Sequence, residues 1–127
     1  MIFDTDVLIW FFRGDNSAAR LIDSEASRAI SIVSLMELIQ GARSKLEITG
    51  IRRFLREQEF RVIPINESIS YAAAALIEEH ARKEGLQIAQ ALIAATVLEC
   101  GEALATANLR HFRALRGLTL RGFRPAH

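Results

Sequence analysis

The 127-residue chain has a single cysteine, Cys100, so it can close no internal disulfide and build no cysteine-based zinc cluster. Its place in an apolar helical run marks Cys100 as a small core residue. No apolar run approaches the roughly 18 residues a membrane-spanning helix needs. The opening MIFDTD carries acids where a secretory signal would carry positive charge. Both absences predict a cytoplasmic protein with no membrane contact. Acid is missing from the last stretch of the chain. All fifteen Asp and Glu precede residue 105, together with eleven Lys and Arg, whereas Arg110, Arg113, Arg116, Arg121 and Arg124 follow without any. The net charge of +1 therefore averages an acidic body and a basic end. Such an end is either a solvated tail or a patch facing phosphate or an acidic partner.

Several catalytic templates are also missing. There is no GxGxxG or GxxxxGK[ST] to cradle nucleotide phosphates. His80, His111 and His127 lack the paired spacing of a zinc site, and no GxSxG elbow presents a serine nucleophile. Asp4-Thr5-Asp6 has the form of the DxD in haloacid-dehalogenase-type phosphatases. That chemistry wants a downstream lysine and a late acid pair; only Lys45 and Lys83 are available, and no late acid exists.

What is present is a soluble, globular composition, 50% hydrophobic and 24% charged. At this length residues 1–127 form one domain able to bury about two-thirds of the surface of its unfolded chain. Short apolar strands alternate with amphipathic helices. Met1–Phe3 reads as a strand, followed by a helix through Val7–Phe12 that Gly14 stops, and Asn16 caps a helix over Ser17–Ser24. Ala29–Val33 is a strand, Ser34 opens a helix through Gln40, and a further helix covers Leu46–Glu57. Arg61–Ile65 is a strand, and Asn66 caps a long helix from Glu67 to Lys83 that Gly85 ends. A helix opened near Gln90 and closed by Gly101 leads to a strand at Ala103–Thr106, a short helix over Leu109–Leu115 and a strand at Leu118–Arg121. This order predicts an α/β fold whose mostly parallel sheet is covered on both faces. Sites in such sheets form beyond the carboxyl ends of strands, which directs attention to Asp4 and Asp6, Ser34 and Glu37, Asn66 and Glu67, and Thr106, Asn108 and His111.

Asp4 sits where a carboxylate at a strand end is oriented and partly desolvated, the conditions for a metal ligand. A helix N-cap is its ordinary alternative, although Asp6 is better placed to cap Val7–Phe12. Ser34-Leu35-Met36-Glu37 has the spacing of a capping box. Equally, Glu37 can face Asp4 across the sheet, and two carboxylates from adjacent strand ends can hold a hard divalent cation with water. Gln90, taken alone, is an ordinary polar residue at a helix start.

Four segments, FDTDVLIWFFRGD, SIVSLMELIQGA, GLQIAQALIAATVLECG and ATANLRHFRALRGL, together resemble the PIN domain over essentially the whole chain, most closely the VapC-type toxins of toxin–antitoxin pairs. The resemblance implies a three-layer α/β/α domain that hydrolyses RNA with Mg²⁺ or Mn²⁺ held by acids at the strand ends. It places Asp4 as the first metal-binding acid and Glu37 as the second. Asp6 falls where the family often has Asn or Asp, and Ser34 where it often has Ser or Thr. The third acid position of the family is Gln90 here, and the fourth is Asn108, with His111 at a further position that carries an acid in some members. Arg110, His111 and Arg113 are implied RNA-backbone contacts. Glu99 and Glu102 lie about 13 Å or more along the helix from Gln90 and cannot substitute for an acid there. Implied partners are RNA, a cognate antitoxin whose C-terminal segment crosses the acid groove, and a second copy of the chain. Leu8, Ile9, Trp10, Phe11 and Phe12 form a longer apolar cluster than one helix face buries, for the core or for such contacts. With a neutral Gln90 two functions stand: an active metal-dependent endoribonuclease toxin, or a catalytically attenuated module that binds RNA or antitoxin.

Overall fold

The computed structural model describes residues 1–126; His127 lies outside the described residues. Strands and helices alternate as β1 Ile2–Phe3, α1 Thr5–Phe12, α2 Asn16–Ser24, β2 Arg28–Ser31, α3 Ile32–Gln40, α4 Lys45–Glu57, β3 Phe60–Ile63, α5 Glu67–Glu84, α6 Ile88–Cys100, β4 Ala103–Thr106, α7 Leu109–Phe112 and β5 Thr119–Gly122. The strands form one sheet in the order β3-β2-β1-β4-β5, and every pairing is parallel. From β1 the chain first builds outward through β2 and β3, then returns to place β4 on the other flank of β1. That reversal puts the topological switch point between β1 and β4.

Burial follows the strand period of two. Ile2, Ala29 and Leu104 point to one face and pack with α5 and α6 residues such as Ile69, Ala73, Ala91, Ile93 and Ala94. Their neighbours Phe3, Ile30 and Ala105 point to the other face, against Val7, Leu8, Leu21, Ile22, Leu35, Leu38 and Leu55 of α1 to α4. Central strands buried on both faces read as continuous apolar runs, as IF, AI and ALA do here. The expected α/β/α architecture is the observed one.

Local corrections concern where helices start. Asp15, not Asn16, caps α2, accepting the Ala18 N–H at 3.0 Å, and Asn16 is the first helical residue. Strand β2 ends at Ser31, whose side chain caps α3 by accepting the Val33 N–H at 3.1 Å. Ser34 therefore lies inside α3, fully buried. Asn66 does cap α5, accepting the Ile69 N–H at 2.8 Å, and Gly85 ends it at φ +71°, a left-handed conformation that a Cβ would strain. Cys100, expected in the core, is exposed, because the last turn of α6 carries it to the solvent side before Gly101 closes the helix.

Among the apolar residues of α1, Leu8 is fully buried and Phe11 partly so, but Ile9 and Phe12 are 38% and 43% exposed. Phe12 packs its ring against Phe54 of α4 and against Phe11, with centroids 5.2 and 5.6 Å apart, and leaves the remainder to solvent. Arg110, Arg113, Arg116, Arg121 and Arg124 are all exposed. No described helix is long and apolar enough to cross a membrane.

Candidate active site

The carboxyl ends of β1 and β4 meet at the switch point, and Asp4 is the residue placed there. It caps α1, its Oδ1 accepting the Thr5 N–H at 2.8 Å, while its Oδ2 accepts the Thr106 hydroxyl of β4 at 2.7 Å. Thr106 in turn accepts the Asn108 N–H at 2.9 Å. Asp4, and not Asp6, is thus the cap, and capping does not remove it from the site. A carboxylate oxygen offers two lone pairs, so each can take one donor and still face a cation. Burial pushes the Asp4 carboxyl above its ordinary range. The hydrogen bonds from Thr106 and Thr5 and the charge of His111 work against burial, and Glu37 adds to it.

Asp6 lies in the first turn of α1 and reaches across to β4, where its Oδ2 accepts the Ala107 N–H at 3.0 Å and lies 3.5 Å from the Thr106 hydroxyl. Its Oδ1 is buried with no hydrogen-bond partner. Burial, and then the charge of Asp4, push the Asp6 carboxyl up to about 7, against the field of the Ala107 and Val7 N–H groups and the Thr106 hydroxyl.

Glu37 reaches the same place from α3. Thr5 Oγ1 lies 2.6 Å from Glu37 Oε1 and 2.8 Å from Ser34 Oγ. An ionised Glu37 has no proton to give, so the Thr5 hydroxyl donates to Glu37 and accepts from Ser34. The reciprocal bond of a capping box is absent here, because the helix begins at Ile32 and Ser34 is already inside it. Ser34 stands behind the site as the support of Thr5. From the sequence Thr5 enters only as the middle of Asp4-Thr5-Asp6, and Thr106 only as a strand-end position. Their signal was available: a threonine at or just past the end of each of the two strands that flank the switch point, Thr5 next to Asp4 after β1 and Thr106 closing β4.

Gln90 is half-buried near the start of α6, and its Oε1 accepts the backbone N–H of Gln87 at 2.9 Å. This is the N3-to-cap bond of a capping box, so the amide oxygen serves the helix end.

Asp4, Thr5, Asp6, Glu37, Gln90 and Asn108 line one open cavity of about 440 Å³. It runs, through Ile9, Glu37 and Gly41, into a neighbouring groove of about 790 Å³ between α1, α3 and α4, edged by Arg13 and Arg43 and floored by Phe12, Leu38 and Ile51. Arg110, His111 and Arg113 do not line the acid cavity. They stand beyond Asn108 on α7 and just after it, with His111 close enough for its charge to act on Asp4. Among the described residues no three His, Cys, Asp or Glu side chains are gathered into a ready-made metal cage. The donor set is instead two carboxylates, Asp4 and Glu37, beside the unpaired buried oxygen of Asp6. It suits a hard divalent cation such as Mg²⁺, which is usually held by one or two carboxylates and keeps several of its waters.

A family model for the PIN domain matches residues 1–118. The chain belongs to the PIN domain family. Its structure is similar to a chain of a toxin–antitoxin complex from Klebsiella pneumoniae at 28% identity and a TM-score of 0.79, covering 93% of this chain and 94% of that one. It also matches DNA-bound VapBC from Salmonella typhimurium at 21% identity and a TM-score of 0.81, covering 95% of this chain and 96% of that one. VapBC2 from Rickettsia felis, bound to a DNA fragment from its promoter, matches at 20% identity and a TM-score of 0.77, covering 98% and 100%. The last two likenesses show the fold alone. No curated protein sequence matches the chain. Within this PIN domain, the acid cavity lies where an open parallel sheet places its site.

Proposed function

We propose that this PIN domain is a cation-dependent endoribonuclease acting as the toxin of a toxin–antitoxin pair. The observation that carries the reading is the convergence of Asp4, from the end of β1, and Glu37, from α3, on one open cavity, each oriented by a threonine hydroxyl. Bound Mg²⁺ or Mn²⁺ would polarise the scissile phosphate and increase the acidity of a coordinated water. Asp4 and Glu37 would hold it, and Thr106, Thr5 and Ser34 fix the rotamers of those carboxylates so that no reorganisation is needed during reaction. Water attacks the phosphorus in line with the departing oxygen and gives up a proton to solvent, the P–O ester bond breaks, and the leaving oxygen is protonated from solvent. Arg110, His111 and Arg113, on the rim, would contact flanking phosphates through a sequence-independent attraction that weakens with salt.

The groove between α1, α3 and α4 fits the antitoxin. Its apolar floor suits an amphipathic segment, and its opening onto Asp4 and Glu37 would let a basic side chain of that segment neutralise the acids and exclude the cation. The toxin–antitoxin complex named for the Klebsiella pneumoniae structure supports such a partner. Exposed Tyr71 and Ile88, 72% and 71% accessible, are available for a homodimer contact.

One observation favours the second reading, a catalytically attenuated module for RNA or antitoxin: the amide of Gln90 stands where the family carries its third acid, and it is committed to capping α6. Cleavage of structured RNA by wild type, Asp4→Asn and Glu37→Gln across Mg²⁺ and Mn²⁺ concentrations separates the two. Cleavage by wild type that both substitutions abolish supports the nuclease. RNA binding without cleavage at any cation concentration supports the module.

A further inference from the structure

Three acids line the cavity among the described residues, and only one of them has a buried oxygen without a partner. That atom is Asp6 Oδ1. Buried polar atoms are nearly always satisfied, and an unpaired carboxylate oxygen is among the costlier exceptions. The neutral residues on the same wall cannot supply charge, and the Gln90 oxygen already serves the Gln87 N–H. We propose that Asp6 is the third acid of the cation site, supplying from the β1 side the negative charge that residue 90 does not carry. This rests on the cation-dependent reading above.

Two further observations support the role. The Thr106 hydroxyl lies 2.7 Å from Asp4 Oδ2 and 3.5 Å from Asp6 Oδ2, so one side chain sets the two carboxylates beside each other. The Ala107 N–H holds Asp6 Oδ2 at 3.0 Å, which fixes the carboxylate and leaves Oδ1 as its free acceptor. Because no three acids form a ready-made cage, Asp6 acts through its charge on a cation that Asp4 and Glu37 hold. Partners of this outer kind commonly change metal affinity by about ten- to a hundredfold.

Mn²⁺ affinity of the purified full chain, measured by paramagnetic resonance of free Mn²⁺, tests this without any reliance on catalysis. Asp6→Asn is expected to weaken Mn²⁺ binding by about ten- to a hundredfold. Gln90→Ala should leave it within about twofold, and the double substitution Asp6→Asn with Gln90→Asp should recover most of the loss by returning the charge from the other wall. Circular dichroism establishes that each variant is folded; Asp6→Ser, which keeps an acceptor near the Ala107 N–H, replaces Asp6→Asn should the latter not fold. Unchanged Mn²⁺ affinity in the Asp6 variant overturns the proposal, as does a loss in Gln90→Ala equal to that in Asp6→Asn. A parent chain that binds no Mn²⁺ overturns the cation-dependent reading as well, whereas a parent that binds while the Asp6 variant is unaffected overturns this proposal alone.

Discussion

The starts of α3 and α6 carry nearly the same local pattern and use it in opposite ways. Ser34-Leu35-Met36-Glu37 has the spacing of a capping box, yet the cap is Ser31 one turn earlier, and both Ser34 and Glu37 are bonded to Thr5 of α1. Gln87-Ile88-Ala89-Gln90 covers the position where the family carries an acid, yet Gln90 caps its own helix. The difference comes from where the preceding extended segment stops. Two residues of helix, Ile32 and Val33, precede Ser34 because β2 ends at Ser31, and none would if it ran on to Val33. A pattern four residues long cannot tell a cap from a site; the length of the strand before it can.

The contrast breaks most visibly at the acids themselves. Asp4→Asn or Glu37→Gln is expected to lower RNA cleavage by roughly 100-fold or more with the fold retained, as single-turnover assays beside circular dichroism would show. Gln90→Ala, at the other helix start, should leave the cleavage rate of a folded sample nearly unchanged. Equal losses at both would mean that the two helix starts serve the same chemistry.

Next in size is the support of Glu37. Thr5→Val removes the hydroxyl that Glu37 and Ser34 share, and is expected to weaken cation binding about ten- to a hundredfold in calorimetric titration. Ser34→Ala, one bond further back, should have a smaller effect. A larger effect from Ser34 would place the serine at the cation itself.

The acid pair also sets a pH dependence. The Asp6 carboxyl stands at about 7 in the fold against 3.8 ordinarily, so between those values the folded chain holds more protons than the unfolded one. Stability of the cation-free protein therefore falls as pH rises from about 4 to about 7, the reverse of the usual trend for a salt-bridged acid. Asp6→Asn should flatten that decline in urea denaturation, leaving the slope due to Asp4, whose carboxyl is also raised.

The smallest effects belong to the caps. Asn66→Ala at α5 should cost about 1 kcal/mol, and Ser31→Ala at α3 a similar amount. If Ser34→Ala cost as much as Ser31→Ala through the helix end alone, the assignment of the α3 cap would be reversed.

The architecture was legible because it rests on period and order. IF, AI and ALA announce strands buried on both faces, Asn66 and Gly85 bracket α5, and Ala103–Thr106 lies where its apolar run does. Asp4, Glu37 and Asn108 were legible as strand-end or near-strand-end residues in a parallel sheet. Less legible were the partners of these residues. Thr5 and Thr106 act through contacts to side chains 32 and 102 residues away, and no local window contains such a pair. Asp6 shows the same limit: its unpaired oxygen exists because β4 folds over it and supplies one N–H, from Ala107, for two oxygens. Cys100 was misread for a complementary reason, since apolar neighbours define a buried helix but not which face of its last turn meets solvent.

By itself the sequence determined the alternation of strands and helices, and with it a parallel sheet and acids at its carboxyl ends, because hydrophobic period and chain order are local properties. Which hydroxyl orients which acid, and that the acids from β1 and α3 line one cavity, were decided only by tertiary structure. A hydrogen bond depends on tenths of an ångström between atoms from distant segments, and only the packed sheet and helices set those distances.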